Sequence, residues 1–354
     1  MAKPNSKKIA VILFNLGGPD QLASVKPFLF NLFNDSAIIN LPQPLRFLLA
    51  KLISLRRAPV ARDIYEHMGG KSPLLENTEK QAEALDKALG KNFKCFVVMR
   101  YWHPFSAETA ARVKDFGPDR IVLLPLYPQF STTTSASSLE DWAKAAKKEG
   151  LGAATSGICC FPTEKNFIAA HSEAIKPLLI NSIKAGPTRI LFTAHGLPEK
   201  IIEKGDPYAW QVEKTVAAVM ASLWRQKEFG GKPLDYVICY QSRVGPLKWI
   251  GPSTEAEIIR AGEDGKNLVV APISFVSEHS ETLVELDIKY ARLAKANKIK
   301  HYTRVPALGD DQGFILSLQR MVENALSKEA INPAAGNQIC PADYVRCPCK
   351  ESGR

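Results

Sequence analysis

Short apolar runs rich in β-branched residues alternate along the chain with segments whose apolar positions return every three or four residues. The runs Ile9 to Leu16, Cys95 to Met99, Ile121 to Leu126, Ile190 to Ala194, Tyr236 to Tyr240 and Leu268 to Phe275 predict buried strands. Between them, Glu76 to Leu89, Ala107 to Phe116, Leu139 to Glu149, Tyr208 to Gln226 and Glu281 to Ala296 predict helices. Strands that alternate with helices predict parallel sheets wrapped on both faces.

The pattern also repeats. "VILFNLGGP" (11 to 19) matches "RILFTAHGLP" (189 to 198), "FVVMRYW" (96 to 102) matches "VICYQSR" (237 to 243), and "VLLPLYPQFS" (122 to 131) matches "VVAPISFVSE" (269 to 278), in the same order. The expected fold class is therefore α/β, with two similar Rossmann-like domains facing each other across a cleft at the carboxyl ends of their strands. The expected limits are 1–165 for the first domain, 166–330 for the second and 331–354 for a cysteine-bearing tail. With 354 residues, 45% of them hydrophobic, the chain can build two cores.

An inserted stretch, Ile38 to Arg62, has no acid between Asp35 and Asp63. Leu45, Leu48, Leu49, Leu52 and Ile53 follow helical spacing, and Arg46, Lys51, Arg56, Arg57 and Arg62 add positive charge. It reads either as a helix packed on its own core or as an apolar, basic lip.

A net charge of +10 permits an anionic partner. The chain lacks zinc-finger spacing, an RNA-binding aromatic signature or a long basic run, so no nucleic-acid partner is expected. The start "MAKPNSKK" lacks the apolar core of a secretory signal, and no apolar run approaches the roughly 20 residues of a membrane span. A cytoplasmic location is expected, in which the seven cysteines are thiols or metal ligands rather than disulfides.

The strand ends gather Asn15, Arg100, Tyr101, His103, Tyr127, His195, Tyr240, Glu278, His279 and Glu281. In "APISFVSEHSETLVELDIKY" (271 to 290) a strand through Ile273 to Val276 is expected to run straight into a helix. At about 100° per residue, Glu278, Glu281 and Glu285 then share one stripe, with His279 turned toward Leu283, Leu286 and Tyr290. The same acids also read as a solvated face, with Glu285 paired to Lys289, or as complements to the helix dipole. No G-x-G-x-x-G opens a helix, and Pro with Asp20 or Glu199 stands where phosphate would arrive, so a nucleotide is disfavoured.

An imidazole beside carboxylates suits proton removal and the handling of a divalent cation. Tyr101, Trp102, Tyr127, Tyr240 and Trp249 suit a large flat partner. A planar macrocycle that loses N–H protons as it takes up a metal meets both requirements. At the C-terminus, Cys340, Cys347 and Cys349 crowd a tail too short to build a core. Their spacing points to a metal site, though not to a standard zinc one.

From about Ile9 to Leu326 the chain resembles the ferrochelatases, which insert ferrous iron into a porphyrin. The motifs are "FNLGGPD", "GGKSP", "RYWHPF", "LYPQFSTTTSASS", "TAHGLP", "GDPY", "CYQSRVGPLKWIGPST" and "FVSEHSETLVELDIKY", in that order. The resemblance implies a lyase of haem biosynthesis that uses protoporphyrin IX and Fe(II). It implies catalytic roles for His195 and Glu281, and an iron path through His195, Glu278, His279, Glu281 and Glu285. Leu16, Arg100, Tyr101, Tyr127 and Trp249 fall at porphyrin-wall positions, and Arg57 and Ser72 at propionate-holding positions.

The lip at 38–62 matches the family's membrane-facing mouth, which implies peripheral association with an anionic membrane from the cytoplasmic side; a homodimer is also compatible. Lys289 and Val60 depart from the family pattern. The tail resembles the cysteine triplet of bacterial members that carry a 2Fe-2S cluster. Animal members place the fourth ligand where this chain has Thr132, so Cys159 or Cys160 is the expected substitute. Alternatives are a chelatase for coproporphyrin III or a corrinoid precursor, and a two-lobed protein that only binds metal or haem.

Overall fold

The computed structural model describes residues 7–230, 233–243, 245, 247–328 and 330–349. The first six residues, on which the reading of the chain start partly rests, lie outside the described residues, as do Val244 and Pro246 of the "CYQSRVGPLKWIGPST" motif.

Among the described residues, nine strands form two parallel sheets: β1 Ile9–Asn15, β2 Phe93–Met99, β3 Arg120–Pro125, β4 Ala154–Ile158, β5 Thr188–His195, β6 Asp235–Gln241, β7 Asn267–Pro272, β8 Tyr302–Arg304 and β9 Ile331–Asn332. The first sheet runs β2-β1-β3-β4-β9 and the second β6-β5-β7-β8. Apart from β9, the two orders are the same, as the internal repeat predicts. β1 and β5 are central and enclosed by helices on both faces, so both read as nearly unbroken apolar runs.

Two strand expectations shift. The strand placed over Leu268 to Phe275 ends at Pro272, and Ile273 to His279 is irregular chain rather than strand. That loop is held from the other half: Gln81 donates to the carbonyls of Val276 and Gly309 at 3.0 and 2.8 Å, and Asn77 to the carbonyl of Glu278 at 3.1 Å. Both side chains lie on the Leu74–Leu89 helix, so the two halves meet where the strands end.

The larger revision concerns the helix that follows. Glu281–Tyr290 is a π-helix, continued by an α-helical turn at Ala291–Ala296. A shorter π-turn, Thr132–Ala136, leads into the Ser137–Glu149 helix and occupies the same place after β3. In a π-helix the hydrogen bonds run i to i+5, so the α-helical wheel does not apply.

The lip is one helix, Gln43–Glu66. Leu45, Leu48, Leu52 and Leu55 are 57, 63, 42 and 57% exposed, so its apolar stripe is not packed on its own core. Among the described residues, no helix is long and apolar enough to cross a membrane.

Candidate active site

The site is assembled from the last residues of two neighbouring strands and the first turn of the π-helix. β5 ends at His195, whose register partner on β6 is Gln241. The next residue, Ser242, has φ of 64°, a left-handed conformation that costs a side-chain-bearing residue about 1 kcal/mol or more. Such strain collects where a side chain must be aimed. Here the hydroxyl reaches two carboxylates, donating to Glu281 Oε2 at 3.1 Å and, in a very short contact, to Glu285 Oε2.

His195 Nδ1 lies 2.8 Å from Glu281 Oε2. Burial disfavours a charge on either group. For His195 the charge and hydrogen bond of Glu281, with Glu285 beyond it, outweigh burial and raise the imidazole pKa. For Glu281 the charge and hydrogen bond of His195, helped by Ser242, hold its pKa down at about 2. With the carboxylate ionised, Nδ1 carries the hydrogen between them, which leaves Nε2 as the ring nitrogen that can take a proton. His195 keeps 36% of its side-chain surface open. The arrangement is a proton acceptor backed by an oriented carboxylate.

Glu285 is more heavily tied. It accepts from Gln241 at 3.2 Å and from the Tyr290 hydroxyl at 3.0 Å, and Lys289 lies 3.6 Å away. The Tyr290 bond spans five residues, the spacing of a π-turn. Lys289 also pairs with Glu255 at 3.0 Å, so the expected pairing to Glu285 is present but shared.

The other expected site residues are placed differently. Glu278 is not on the stripe. It precedes the helix, and one oxygen of its carboxylate, Oε1, accepts from Arg304 at 2.7 Å and from the Ala307 amide at 2.9 Å, while the buried Oε2 has no partner among the described residues. His279 also precedes the helix and is buried, its ring 4.6 Å from Phe275 rather than turned toward Leu283. Burial lowers its pKa, and its Nδ1 has no partner.

Tyr101 has no exposed surface, because the Val25–Phe33 helix and the lip helix pack over it. Its hydroxyl donates to Asp35, which also accepts from Arg100 at 2.8 Å and from Ser137. Arg100 and Tyr101 therefore serve an internal network rather than an open wall. Leu16 and Tyr127 are half-buried, and Trp249 is half-buried against Gly196. Ser72 is buried against Gly18, whose missing Cβ would lie 2.5 Å from it. Arg57 is exposed on the lip helix, its guanidinium 5.9 Å from the Phe33 ring.

Gln241 and Ser242 are the site residues that sequence reasoning missed. The signal was available: the repeat aligned "VICYQSR" with a strand, and a neighbouring strand end belongs beside His195.

A second cluster lies at the far end of β4. Cys159 and Cys160 follow that strand, and backbone bonds from Cys159 N to Asn332 O and from Ala334 N to Cys160 O, both 2.9 Å, fasten them to the tail. Cys159 Sγ is 3.1 Å from Cys349 Sγ and 3.7 Å from Cys160 Sγ. Hydrogen bonds from Cys340 and Cys349 hold Cys347 below the usual thiol pKa. The tail also touches the second half, through the Arg346 amide on the Gly205 carbonyl at 3.1 Å and the rings of Tyr344 and Trp210 at 5.8 Å. All cysteines of the described residues are free thiols. Among the described residues, no group of three His, Cys, Asp or Glu is spaced as a ready site for a single metal ion. The donor set is nonetheless all sulfur, largely buried and drawn from two segments, which is the chemistry an iron-sulfur cluster requires.

The family model for ferrochelatase matches residues 8–326. The chain belongs to the ferrochelatase family. A ferrochelatase of Caulobacter vibrioides (strain NA1000 / CB15N) is 51% identical over 353 residues, covering 98% of this chain and 99% of that one. One from Pelagibacter ubique is 49% identical over 352 residues, with 97% and 98% covered. A Wolbachia ferrochelatase is 53% identical over 321 residues, with 99% of it covered against 90% of this chain. Among solved structures, SirB from Bacillus subtilis with Fe3+ aligns with a TM-score of 0.53 at 12% identity, over 91% of this chain and 98% of that one. At that identity the likeness speaks to the fold, which is that of a two-sheet α/β chelatase. The cysteine tail lies beyond the span that the family model matches.

Proposed function

We propose that the chain is the lyase that inserts Fe(II) into protoporphyrin IX in haem biosynthesis. The observation that carries the reading is the His195–Glu281 pair at the end of β5, with Nδ1 engaged and Nε2 left to accept a proton. Insertion exchanges two pyrrole N–H protons for one Fe2+, so the site must remove protons while it tolerates an incoming cation. His195 takes one proton at a time at Nε2 and passes it to water through its open face before the second is removed, and Glu281 stabilises the imidazolium that forms each time. Glu281 and Glu285, bridged by Ser242, supply the negative charge that offsets Fe2+ as it sheds water.

A bent ring exposes its nitrogen lone pairs to the metal, and binding along Leu16, Tyr127 and Trp249 holds that bend. Ser72 and Arg57 are the groups for the propionates. Glu278 and His279 stand in the loop just before the helix, each with one buried atom, Oε2 and Nδ1, left without a partner, and they remain the further groups proposed for the iron path.

Protoporphyrin is favoured over coproporphyrin by the lip, whose exposed leucines match a vinyl edge better than two further carboxylates. The same helix carries exposed Lys51, Arg56, Arg57 and Arg62. Exposed apolar and basic groups together suit the anionic inner face of a membrane, whereas a second copy of this face would set like charges against each other. We keep 1–165 and 166–330 as the two domains. The Gln312–Ala325 helix packs on helices of both.

The tail is proposed to hold a 2Fe-2S cluster through Cys340, Cys347, Cys349 and one of Cys159 and Cys160. Net insertion of Fe(II) transfers no electron, so the cluster's contribution is structural: it ties the tail to β4 and to the second half.

The test is an anaerobic assay of purified protein with Fe(II) and either porphyrin, followed by absorbance. Turnover of protoporphyrin is expected to exceed that of coproporphyrin. Faster coproporphyrin turnover would overturn the substrate, and stoichiometric binding without turnover would overturn the enzyme.

A further inference from the structure

The side chain of Gln211, on the Tyr208–Trp224 helix, has no exposed surface. Its Oε1 accepts from the Phe130 amide at 2.8 Å. Its Nε2 faces two sulfurs, Cys340 Sγ at 3.2 Å and Cys160 Sγ at 3.5 Å. The orientation of the amide is fixed by this arrangement. Flipping it would set an N–H donor against the buried Phe130 N–H and leave both without an acceptor.

Both Nε2 hydrogens are thus committed to sulfur. A neutral thiol is a weak acceptor, so the pairing is poor for two thiols and improves once Cys340, together with Cys160 if it is the fourth ligand, carries the charge of a metal-bound thiolate.

We propose that Gln211 is a positioning residue of the iron-sulfur cluster, donating N–H···S hydrogen bonds that hold the tail's Cys340 against the Cys160 segment and raise the cluster's reduction potential. The inference rests on the cluster reading above. Hydrogen bonds to ligand sulfur withdraw charge and stabilise the reduced cluster, which carries one more electron. The donor also spans the molecule: its helix belongs to the second half, while Cys160 and Phe130 belong to the first and Cys340 to the tail.

The experiment compares wild type with Gln211→Met, which fills the space but has no donor, and Gln211→Glu, which keeps the acceptor for Phe130. Iron and acid-labile sulfide are assayed first in anaerobically purified protein. The ratio of reduced to oxidised cluster is then read by absorbance and electron spin resonance against dyes of fixed potential. The ratio is expected to fall about tenfold in Gln211→Met, equivalent to about 59 mV for one electron, and further in Gln211→Glu, where a negative charge is added. Both variants should bleach faster in air. Gln211→His keeps one N–H and should fall between wild type and Gln211→Met; if the Met variant does not fold, the His and Glu variants carry the comparison. A variant without the donor that holds its cluster at the wild-type potential and bleaches at the wild-type rate overturns the role of Gln211. Zinc without sulfide in the wild type overturns the cluster itself and this role with it.

Discussion

The two halves of the chain place a π-turn at the same point, after the third strand of each repeat, and use it for opposite ends. After β3, Thr132–Ala136 presents hydroxyls. Ser131 Oγ at 3.0 Å and Thr132, through its amide and its hydroxyl at 2.7 Å each, donate to Asp206 of the other half. Asp206 has no exposed surface, and it also accepts from the Tyr208 amide at 3.0 Å. After β7, Glu281–Tyr290 presents carboxylates to His195. A widened turn lets successive side chains crowd toward one partner. With Ser and Thr it fastens one half to the other, and with Glu it builds a charged site. The repeat preserved the backbone device while the side chains divided the labour.

Breaking the charged member should have the largest effect. His195→Ala should lower turnover by about 10²–10⁴-fold, the usual share of a general base, while porphyrin binding followed by fluorescence stays within about tenfold. Near wild-type turnover would remove His195 from the chemistry. Glu281→Gln should also slow turnover, since the amide keeps the shape but not the charge.

Breaking the uncharged member should act on stability instead. Asp206→Ala strands the donors of Ser131, Thr132 and Tyr208, and the loss should be on the order of 2 kcal/mol. Thermal unfolding would show it, and the pH profile of the protein that remains folded should be unmoved. A shifted profile would mean that the fastening turn and the charged turn are not separable.

A subtler contrast comes from pH. His195 must be neutral to accept a proton, and its pKa is raised above 6.5, so turnover should rise as pH climbs through that raised value. Glu281→Gln should move the rise to lower pH. Stability runs the other way: the His195 share is fully present below 6.5 and is lost as pH rises through the raised pKa. The Glu281 share is present above 4.5 and is lost as pH falls toward about 2. The pair therefore stabilises the fold most between 4.5 and 6.5. A turnover profile unchanged by Glu281→Gln would break the coupling between the two groups.

The smallest effect on stability belongs to the lip. Leu48, Leu52 and Leu55 changed to Ser should each cost less than about 0.5 kcal/mol, because they are exposed. Binding to anionic vesicles, measured by flotation, should nevertheless weaken. A large fall in melting temperature would return this helix to the core.

The sequence announced the six long strands, the repeat and the pairing of an imidazole with acids, because each is written as a local apolar run or as a residue at a strand end. It did not announce β4, "ATSGI", or β8, "YTR", which have too few apolar residues to stand out from loops. The π-helix was invisible for a different reason. Nothing in "ETLVELDIKY" distinguishes i+5 from i+4 bonding; the partners that its acids meet, Gln241 at the end of β6 and Ser242 just after it, are distant in sequence. Running the helix back through Glu278 set it in line with Glu281 and Glu285, whereas it lies in the irregular chain before the helix and pairs with Arg304. Tyr101 shows the same limit, since its cover comes from helices between residues 25 and 66 that no local pattern assigns to it.

The return of the tail to β4 also bears on how the chain is made. β9 closes the outer edge of the first sheet, yet it lies more than 170 residues after β4. At about 5–20 residues per second, a ribosome leaves that edge uncovered for on the order of ten to thirty seconds after it emerges. A long apolar strand left bare for so long would invite pairing with neighbouring nascent chains. β4 is five residues long and contains Thr, Ser and Gly, with its first two residues exposed even in the finished fold. The composition that hid this strand from a search for apolar runs is the composition that lets it wait.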